Sequence, residues 1–282
     1  IDIRAIDEGV HPHGVEGGLD VLQPVGQGLL LVQVSHRHPP VDVAVEAAHL
    51  SDVIYHHKII HYHHFHLNVS RLCCGDCLED QAWKVGGVRE AKNSLEVAAR
   101  QPDYMGFILW EGSKRHCPKP PQVPQDVTKV GVFVDATVAE IEDAVEAYKL
   151  GAVQLHGNES PGLCRELQGK TQVIKAFGVG EGFDFDTLLN YLPYCDFFLF
   201  DTKGPMPGGN GTTFDWSILE NYVFDLPFFI SGGIGLAEID NINELRRTDL
   251  PVYAIDINSK FEIAPALKDA EQLKKFKEKL AL

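Results

Sequence analysis

The chain has 282 residues, of which 44% are hydrophobic and 23% are charged, and its formal net charge is -15 at pH 7. These values are typical of a globular protein, and the length allows one (β/α) domain or two smaller domains. The surplus of carboxylates argues against a nucleic-acid partner, and no apolar run approaches the roughly 20 residues of a membrane span, so we expect neither partner.

The first 83 residues differ in composition from the rest of the chain. They contain 11 of the 13 histidines and one lysine, whereas lysine is common afterwards. An apolar run at 29–34 predicts a strand, and residues 44–50 predict a short helix. We predict a domain boundary here, with an atypical, poorly ordered extension over 1–83 and one folded domain over 84–282.

The extension contains residue types that bind zinc in other proteins. Six histidines lie between His56 and His66, and Cys74 and Cys77 form a C-x-x-C pair. A second C-x-x-C or a histidine pair at zinc-finger spacing is missing, so we expect no metal site. We interpret the segment as disordered or adventitious, for example translated sequence upstream of the true start. Metal handling by the histidines is the alternative hypothesis.

From residue 84 onward, short apolar segments alternate with amphipathic ones. Apolar strands that are each followed by a helix are typical of a parallel sheet covered by helices, and eight such units predict a small (β/α)₈ TIM barrel. The predicted strands are 84–88, 104–110, 129–134, 152–156, 173–177, 197–201, 227–231 and 253–257. The predicted helices are 91–99, 138–150, 163–168, 185–192, 217–222, 237–245 and 265–280. The proline-rich segment 118–124 predicts a loop or a very short helix in the second unit.

Polar residues follow several predicted strands, at the barrel face where TIM-barrel enzymes carry their chemistry. Each of them alone also fits a simple helix cap, but together they predict a site. These residues are Arg115, Asp135, His156, Asp201, Ser231, Asn258, Ser259 and Lys260. Glycine-rich turns at 208–213 and 231–235 allow close backbone approach to an anion, which favours a phosphorylated small molecule as the ligand.

Nine sequence blocks carry a more specific signal. They are KVGGVRE (84–90), DYMGFILWEGSKR (103–115), KVGVFVD (129–135), VQLHGNE (153–159), VIKAF (173–177), FDT (200–202), GGNGTTFDW (208–216), FISGGIG (229–235) and IDINSKFE (255–262). In this order and at these spacings, the domain over 84–282 resembles the phosphoribosylanthranilate isomerase family of tryptophan biosynthesis. The resemblance does not extend into the first 83 residues.

The resemblance implies a reaction and roles for individual residues. The family converts N-(5-phosphoribosyl)anthranilate to 1-(2-carboxyphenylamino)-1-deoxyribulose 5-phosphate by an Amadori rearrangement, without metal or organic cofactor. It implies that Asp201 is the general acid for the furanose ring oxygen and that Arg115 binds the anthranilate carboxylate. The other implied substrate-binding residues, with the glycines near the phosphate, are His156, Gly211, Ser231, Gly232, Gly233, Asn258 and Ser259.

Two positions depart from the family pattern. The family's first strand reads K-V-C-G, and its cysteine is the general base, whereas this chain has Gly86 there. Three explanations stay open: an engineered or mis-sequenced active enzyme, a neighbour such as Asp135 or His156 acting as the base, or a catalytically impaired barrel that binds a phosphorylated ligand. After the last strand, Asn258-Ser259-Lys260 replaces the family's S-S-G, which removes a glycine beside the expected phosphate.

The expected partner is therefore a small phosphorylated substrate, and a barrel of this size fits either a monomer or a homodimer. The start of the sequence lacks the features of a signal peptide. The chain has six cysteines. Without a signal peptide they favour reduced thiols, so we expect a cytoplasmic enzyme.

Overall fold

A computed structural model of the chain describes these residues: 19–24, 29–34, 41–46, 81–202 and 215–281. The chain divides into two compact units, Ile1–Cys77 and Leu78–Leu282. The domain boundary at residue 83 stays a prediction.

Three strands form an antiparallel sheet in the first unit, in the order β1 (Leu19–Pro24), β2 (Leu29–Val34) and β3 (Val41–Glu46). The predicted strand at 29–34 is confirmed by β2. The predicted helix at 44–50 is wrong over residues 44–46, which belong to β3. Valine at every second position from 41 to 45 has the strand period, and β-branched side chains favour a strand over a helix. Residues 47–50, the histidine run and the C-x-x-C pair lie outside the described residues.

The second unit contains a closed barrel of eight parallel strands, as predicted. The strands are β4 (Ala82–Val85), β5 (Tyr104–Ile108), β6 (Thr128–Phe133), β7 (Ala152–Leu155), β8 (Gln172–Val179), β9 (Phe197–Thr202), β10 (Phe228–Ile230) and β11 (Val252–Ile257). They follow one another around the barrel in chain order, and β11 pairs with β4 to close it. All eight predicted strands are confirmed, with ends that differ by a few residues.

The part of the chain that the structure describes contains five α-helices, four between barrel strands and one after the last strand: α1 (Ala91–Ala98), α2 (Val138–Tyr148), α3 (Pro161–Leu167), α4 (Ile239–Leu245) and α5 (Ala270–Leu280). Short 3₁₀ helices occupy Phe185–Asn190, Leu192–Tyr194, Trp216–Asn221, Leu236–Glu238 and Ser259–Phe261. The predicted helices at 185–192 and 217–222 are therefore 3₁₀ rather than α-helical. None of the described helices is long and apolar enough to cross a membrane.

Capping residues fix where the α-helices begin. A capping box joins Thr137 and Glu140 at the start of α2. The Asp269 carboxylate accepts hydrogen bonds from the first amides of α5. Because this aspartate ends the preceding turn, the predicted helix at 265–280 is wrong over its first five residues. The chain forms a hairpin there, between β12 (Glu262–Ala264) and β13 (Leu267–Lys268).

The barrel interior changes from apolar to polar along the strands. Alternate strand residues point inward, and an apolar cluster that includes Leu199, Phe229 and Ala254 fills the lower interior. Two residues further along the same strands, the inward positions are occupied by Asp201, Ser231 and Asp256. The fold thus places polar side chains together at the C-terminal ends of the strands, above a packed apolar layer.

Candidate active site

A pocket of about 390 Å³ lies at the C-terminal ends of the barrel strands. Nine of the ten predicted site residues line it: Gly86, Arg115, His156, Asp201, Ser231, Gly232, Gly233, Asn258 and Ser259. The tenth, Gly211, lies outside the described residues. Asp135 and Lys260 are not among the lining residues, and the Asp135 carboxylate accepts a hydrogen bond from the Asn158 amide.

A buried ion pair forms part of the pocket wall. Lys84 and Asp256 are register partners on β4 and β11, and Lys84 Nζ lies 2.9 Å from Asp256 Oδ1. The Ser231 hydroxyl donates to Asp256 Oδ2 at 3.4 Å, whereas Oδ1 has no hydrogen-bond donor among the described residues besides the Lys84 ammonium of the ion pair. The sequence analysis missed both charged residues. Their signal was a charge at an inward position of an otherwise apolar strand.

Asp201 and His156 make contact near the ends of β9 and β7. Asp201 Oδ2 lies 3.2 Å from His156 Nε2, and Asp201 Oδ1 accepts a hydrogen bond from the Thr202 amide. On its other side, His156 Nδ1 lies 2.8 Å from Gln154 Nε2. Because an amide nitrogen only donates, the Gln154 amide donates to Nδ1, and Nε2 carries the ring proton and donates to Asp201 Oδ2. The carboxyl group and the imidazole are within proton-transfer distance.

Arg115 is held at the pocket by Glu262 of β12. Arg115 Nε donates to Oε1 at 2.8 Å and Nη2 donates to Oε2 at 2.6 Å, which is a bidentate pair. A guanidinium has five N–H donors, so the two Nη1 protons and one Nη2 proton remain for a substrate carboxylate. Glu262 fixes the orientation of Arg115 without using up its hydrogen-bonding capacity.

Lys268 of β13 supports this arrangement from below. Its ammonium group donates to Glu262 Oε1 at 2.8 Å and to Asn258 Oδ1 at 2.6 Å. Burial lowers the pKa of Lys268 to about 8. Burial also raises the pKa of Glu262, but the hydrogen bonds from Arg115 and the charge of Lys268 outweigh it, and the resulting pKa is below its ordinary value. The sequence analysis identified neither Glu262 nor Lys268, because nothing in a single sequence indicates this cross-loop contact.

The turn after β10 has a backbone suited to an anion. Gly232 has φ +93° and Gly233 has φ +62°. A Cβ atom on Gly232 would lie 2.2 Å from Thr202 Oγ1, so only glycine fits there without rearrangement. The amides of Gly232 and Gly233 donate to no acceptor among the described residues. They are available to a bound phosphate.

Residue 86, where the family has a cysteine, has space for a side chain. A Cβ atom on Gly86 would lie 3.4 Å from Asp256 Oδ1 and 3.5 Å from Asn258 Nδ2, which are ordinary van der Waals distances. The backbone here therefore accepts a side chain, and the nearest polar atom to it is a carboxylate oxygen. No group of three or more metal-binding side chains is found among the described residues.

Comparison with known proteins relates this chain to one family. The family model for N-(5'-phosphoribosyl)anthranilate (PRA) isomerase matches residues 83–279. An N-(5'-phosphoribosyl)anthranilate isomerase of Parabacteroides distasonis is 44% identical over 202 residues, covering 68% of this chain and 90% of the relative.

Solved structures agree with the sequence comparison. The phosphoribosyl anthranilate isomerase of Thermotoga maritima matches with a TM-score of 0.64 at 32% identity, covering 71% of this chain and 98% of that chain. Another such isomerase, in complex with reduced 1-(o-carboxyphenylamino)-1-deoxyribulose 5-phosphate, matches with a TM-score of 0.61 at 29% identity over the same shares. The Thermotoga maritima enzyme is dimeric, and a structure of monomers generated from it is known.

Proposed function

Because the chain belongs to the N-(5'-phosphoribosyl)anthranilate isomerase family, we propose that it converts N-(5-phosphoribosyl)anthranilate to 1-(2-carboxyphenylamino)-1-deoxyribulose 5-phosphate in tryptophan biosynthesis. One observation supports this most strongly: nine residues chosen from sequence, at the ends of six different strands or in the loops that follow them, line a single pocket. Its volume of about 390 Å³ lies in the range of small-molecule sites.

The reaction requires two proton transfers at the sugar. Asp201 donates a proton to the furanose ring oxygen, and the lone pair of the anthranilate nitrogen opens the ring to a protonated imine. Contact with His156 orients the Asp201 carboxyl group toward the pocket. Loss of the C2 proton then gives an enolamine, and its tautomerisation to the ketone completes the aldose-to-ketose isomerisation.

The two ends of the substrate carry negative charge, and the pocket offers a different group to each. Arg115 binds the anthranilate carboxylate through the donors that Glu262 leaves free. The Gly232 and Gly233 amides, together with Ser231, Asn258 and Ser259 at the neighbouring strand ends, receive the phosphate. Binding at both ends holds C1 and C2 of the open sugar between Asp201 and the wall at Gly86.

We further propose that the enzyme acts in the cytoplasm as a monomer or homodimer. Cys117, Cys164 and Cys195 are buried free thiols, which agrees with a reducing compartment. A biosynthetic role in amino-acid metabolism supports the same location.

Steady-state isomerisation of the anthranilate substrate tests the function. We expect turnover by the unmodified chain, micromolar or tighter binding of the reduced product analogue, and loss of turnover with retained analogue binding in Asp201→Asn. Gly86→Cys, which restores the family's cysteine, provides the positive control. If neither the chain nor Gly86→Cys turns over substrate or binds the analogue, the proposed function is wrong.

A further inference from the structure

We propose that Asp256 is the general base of this chain and removes the C2 proton that a cysteine at position 86 removes elsewhere in the family. The inference rests on the proposed function and adds a residue that the family pattern does not assign as the base. It follows from the atoms that surround the empty side-chain position of Gly86.

The Asp256 carboxylate lies beside the side-chain position of residue 86. An ideal Cβ on Gly86 lies 3.4 Å from Asp256 Oδ1, so the carboxylate borders the volume that a cysteine thiol would fill. Since glycine leaves this volume free, a substrate carbon can move toward Oδ1 without meeting a side chain. Both residues line the pocket.

The Asp256 carboxylate is buried and anchored. Asp256 is 6% exposed, and a buried carboxylate requires a counter-charge, which Lys84 Nζ supplies at 2.9 Å from Oδ1. Ser231 donates to Oδ2, and apart from the ion pair with Lys84, Oδ1 accepts no hydrogen bond from any described residue. Because a carboxylate oxygen has two lone pairs, Oδ1 keeps one that can accept a proton.

The pocket contains few other proton acceptors. Among the lining residues that the structure describes, Asp201, His156 and Asp256 have a carboxylate or an imidazole that can accept a proton. Asp201 is the general acid, and His156 is in contact with it and with Gln154. Neither of them is among the three nearest atoms to the Gly86 Cβ position, all of which belong to Asp256 and Asn258.

The proton transfers balance with two carboxyl groups. Asp256 takes the proton from C2 of the protonated imine; the C2–H electron pair forms the C1=C2 bond, and the imine π pair returns to nitrogen. The resulting Asp256 carboxylic acid then protonates C1, and the enol hydroxyl returns a proton to Asp201, which had protonated the ring oxygen. Both groups end as they began, and the substrate has only been rearranged.

A cycle of four proteins tests the proposal: the unmodified chain, Asp256→Asn, Gly86→Cys and the double variant. We expect Asp256→Asn to lower kcat by about 10²- to 10⁴-fold with little change in KM, because a positioned base is lost and the binding groups remain. In the Gly86→Cys background we expect the same substitution to lower kcat by at most about tenfold, since the thiol accepts the proton. Substrate deuterated at C2 should show a larger isotope effect on kcat in Asp256→Asn than in the unmodified chain.

A matched control separates catalysis from folding. Asp196→Asn makes the same chemical change at the opposite end of the barrel, where the Asp196 carboxylate accepts a hydrogen bond from the Val173 amide at 2.7 Å near the N-terminal ends of β8 and β9. It should lower stability and leave kcat near that of the unmodified chain. Activity of the double variant shows that the Asp256→Asn change itself permits folding.

Two results overturn the proposal. One is an active unmodified chain in which Asp256→Asn lowers kcat by less than about threefold, or lowers kcat by the same factor with Gly86 and with Gly86→Cys. The other is an unmodified chain that is inactive, together with turnover by Gly86→Cys. This second result refutes Asp256 as the base but still agrees with the proposed ligand and site. Failure of all proteins to bind the product analogue instead refutes the proposed function.

Discussion

The buried Lys268 should make the stability of the barrel rise with pH above neutrality. Its side chain is fully buried beneath Glu262, and burial lowers its pKa from the ordinary value of 10.5 to about 8. Below pH 8 the lysine is protonated in both the folded and the unfolded chain. Between pH 8 and 10.5 the folded protein releases this proton while the unfolded chain still binds it, so the free energy of unfolding increases with pH.

The magnitude follows from the difference in pKa. About 2.5 pKa units correspond to roughly 3 kcal/mol in total, of which about 2 kcal/mol develops between pH 8 and pH 10. Lys268→Met removes the titrating group, and the variant should lack this contribution. Other groups, such as the buried thiol Cys117 with its raised pKa, affect both proteins alike.

Urea unfolding from pH 7 to 10, followed by fluorescence of the buried Trp83, measures the effect. The difference in unfolding free energy between the chain and Lys268→Met should change by about 2 kcal/mol over this range. Lys279→Met, which removes an exposed charge of α5, controls for the change in net charge. If the unfolding free energies of the chain and of Lys268→Met change with pH in parallel, the pKa of Lys268 is not lowered at this site.

Three further substitutions test the site and its support. Arg115→Lys should raise KM about 10- to 100-fold with little change in kcat, because an ammonium cannot replace the bidentate contact; steady-state kinetics measures this. Gly232→Ala should destabilise the protein by about 2–4 kcal/mol in urea and weaken analogue binding, since φ is +93° and the new Cβ meets Thr202. Lys175→Met should cost about 3–5 kcal/mol in urea unfolding, because it leaves the Glu159 carboxylate buried without its partner.

The barrel was predictable because its signals are local. Each strand is a short apolar run and most are followed by an amphipathic segment, so strand order and the position of the catalytic face follow from the pattern. The prediction failed where a single residue changes the local structure. Asp269 begins α5 later than the periodicity indicates, and residues 185–190 and 216–221 form 3₁₀ turns that share the helical spacing of apolar residues.

The site was predictable from strand ends and family blocks, but its charged wall was not. Lys84 and Asp256 lie within apolar strands that are far apart in sequence, and only closure of the barrel between β11 and β4 brings them together. The Arg115–Glu262–Lys268 contact likewise depends on the β12–β13 hairpin, whose residues from 265 onward the pattern predicted as helix. Which residues end the strands can be predicted from the sequence, whereas these ion pairs form only when the barrel closes.

The layered interior explains why these charges stay ordered. Moving an ion from water into a protein interior costs several kcal/mol, so each charge in the pocket wall requires a partner in good geometry. The pairs Lys84–Asp256 and Arg115–Glu262 meet this requirement, and the apolar layer beneath them leaves little room for the side chains to move away. The absence of a side chain at Gly86 leaves this framework in place, because the adjacent Asp256 carboxylate is held by Lys84 and Ser231. The framework presents a fixed, charged carboxylate oxygen 3.4 Å from the Cβ position of residue 86, where the proposed base is needed.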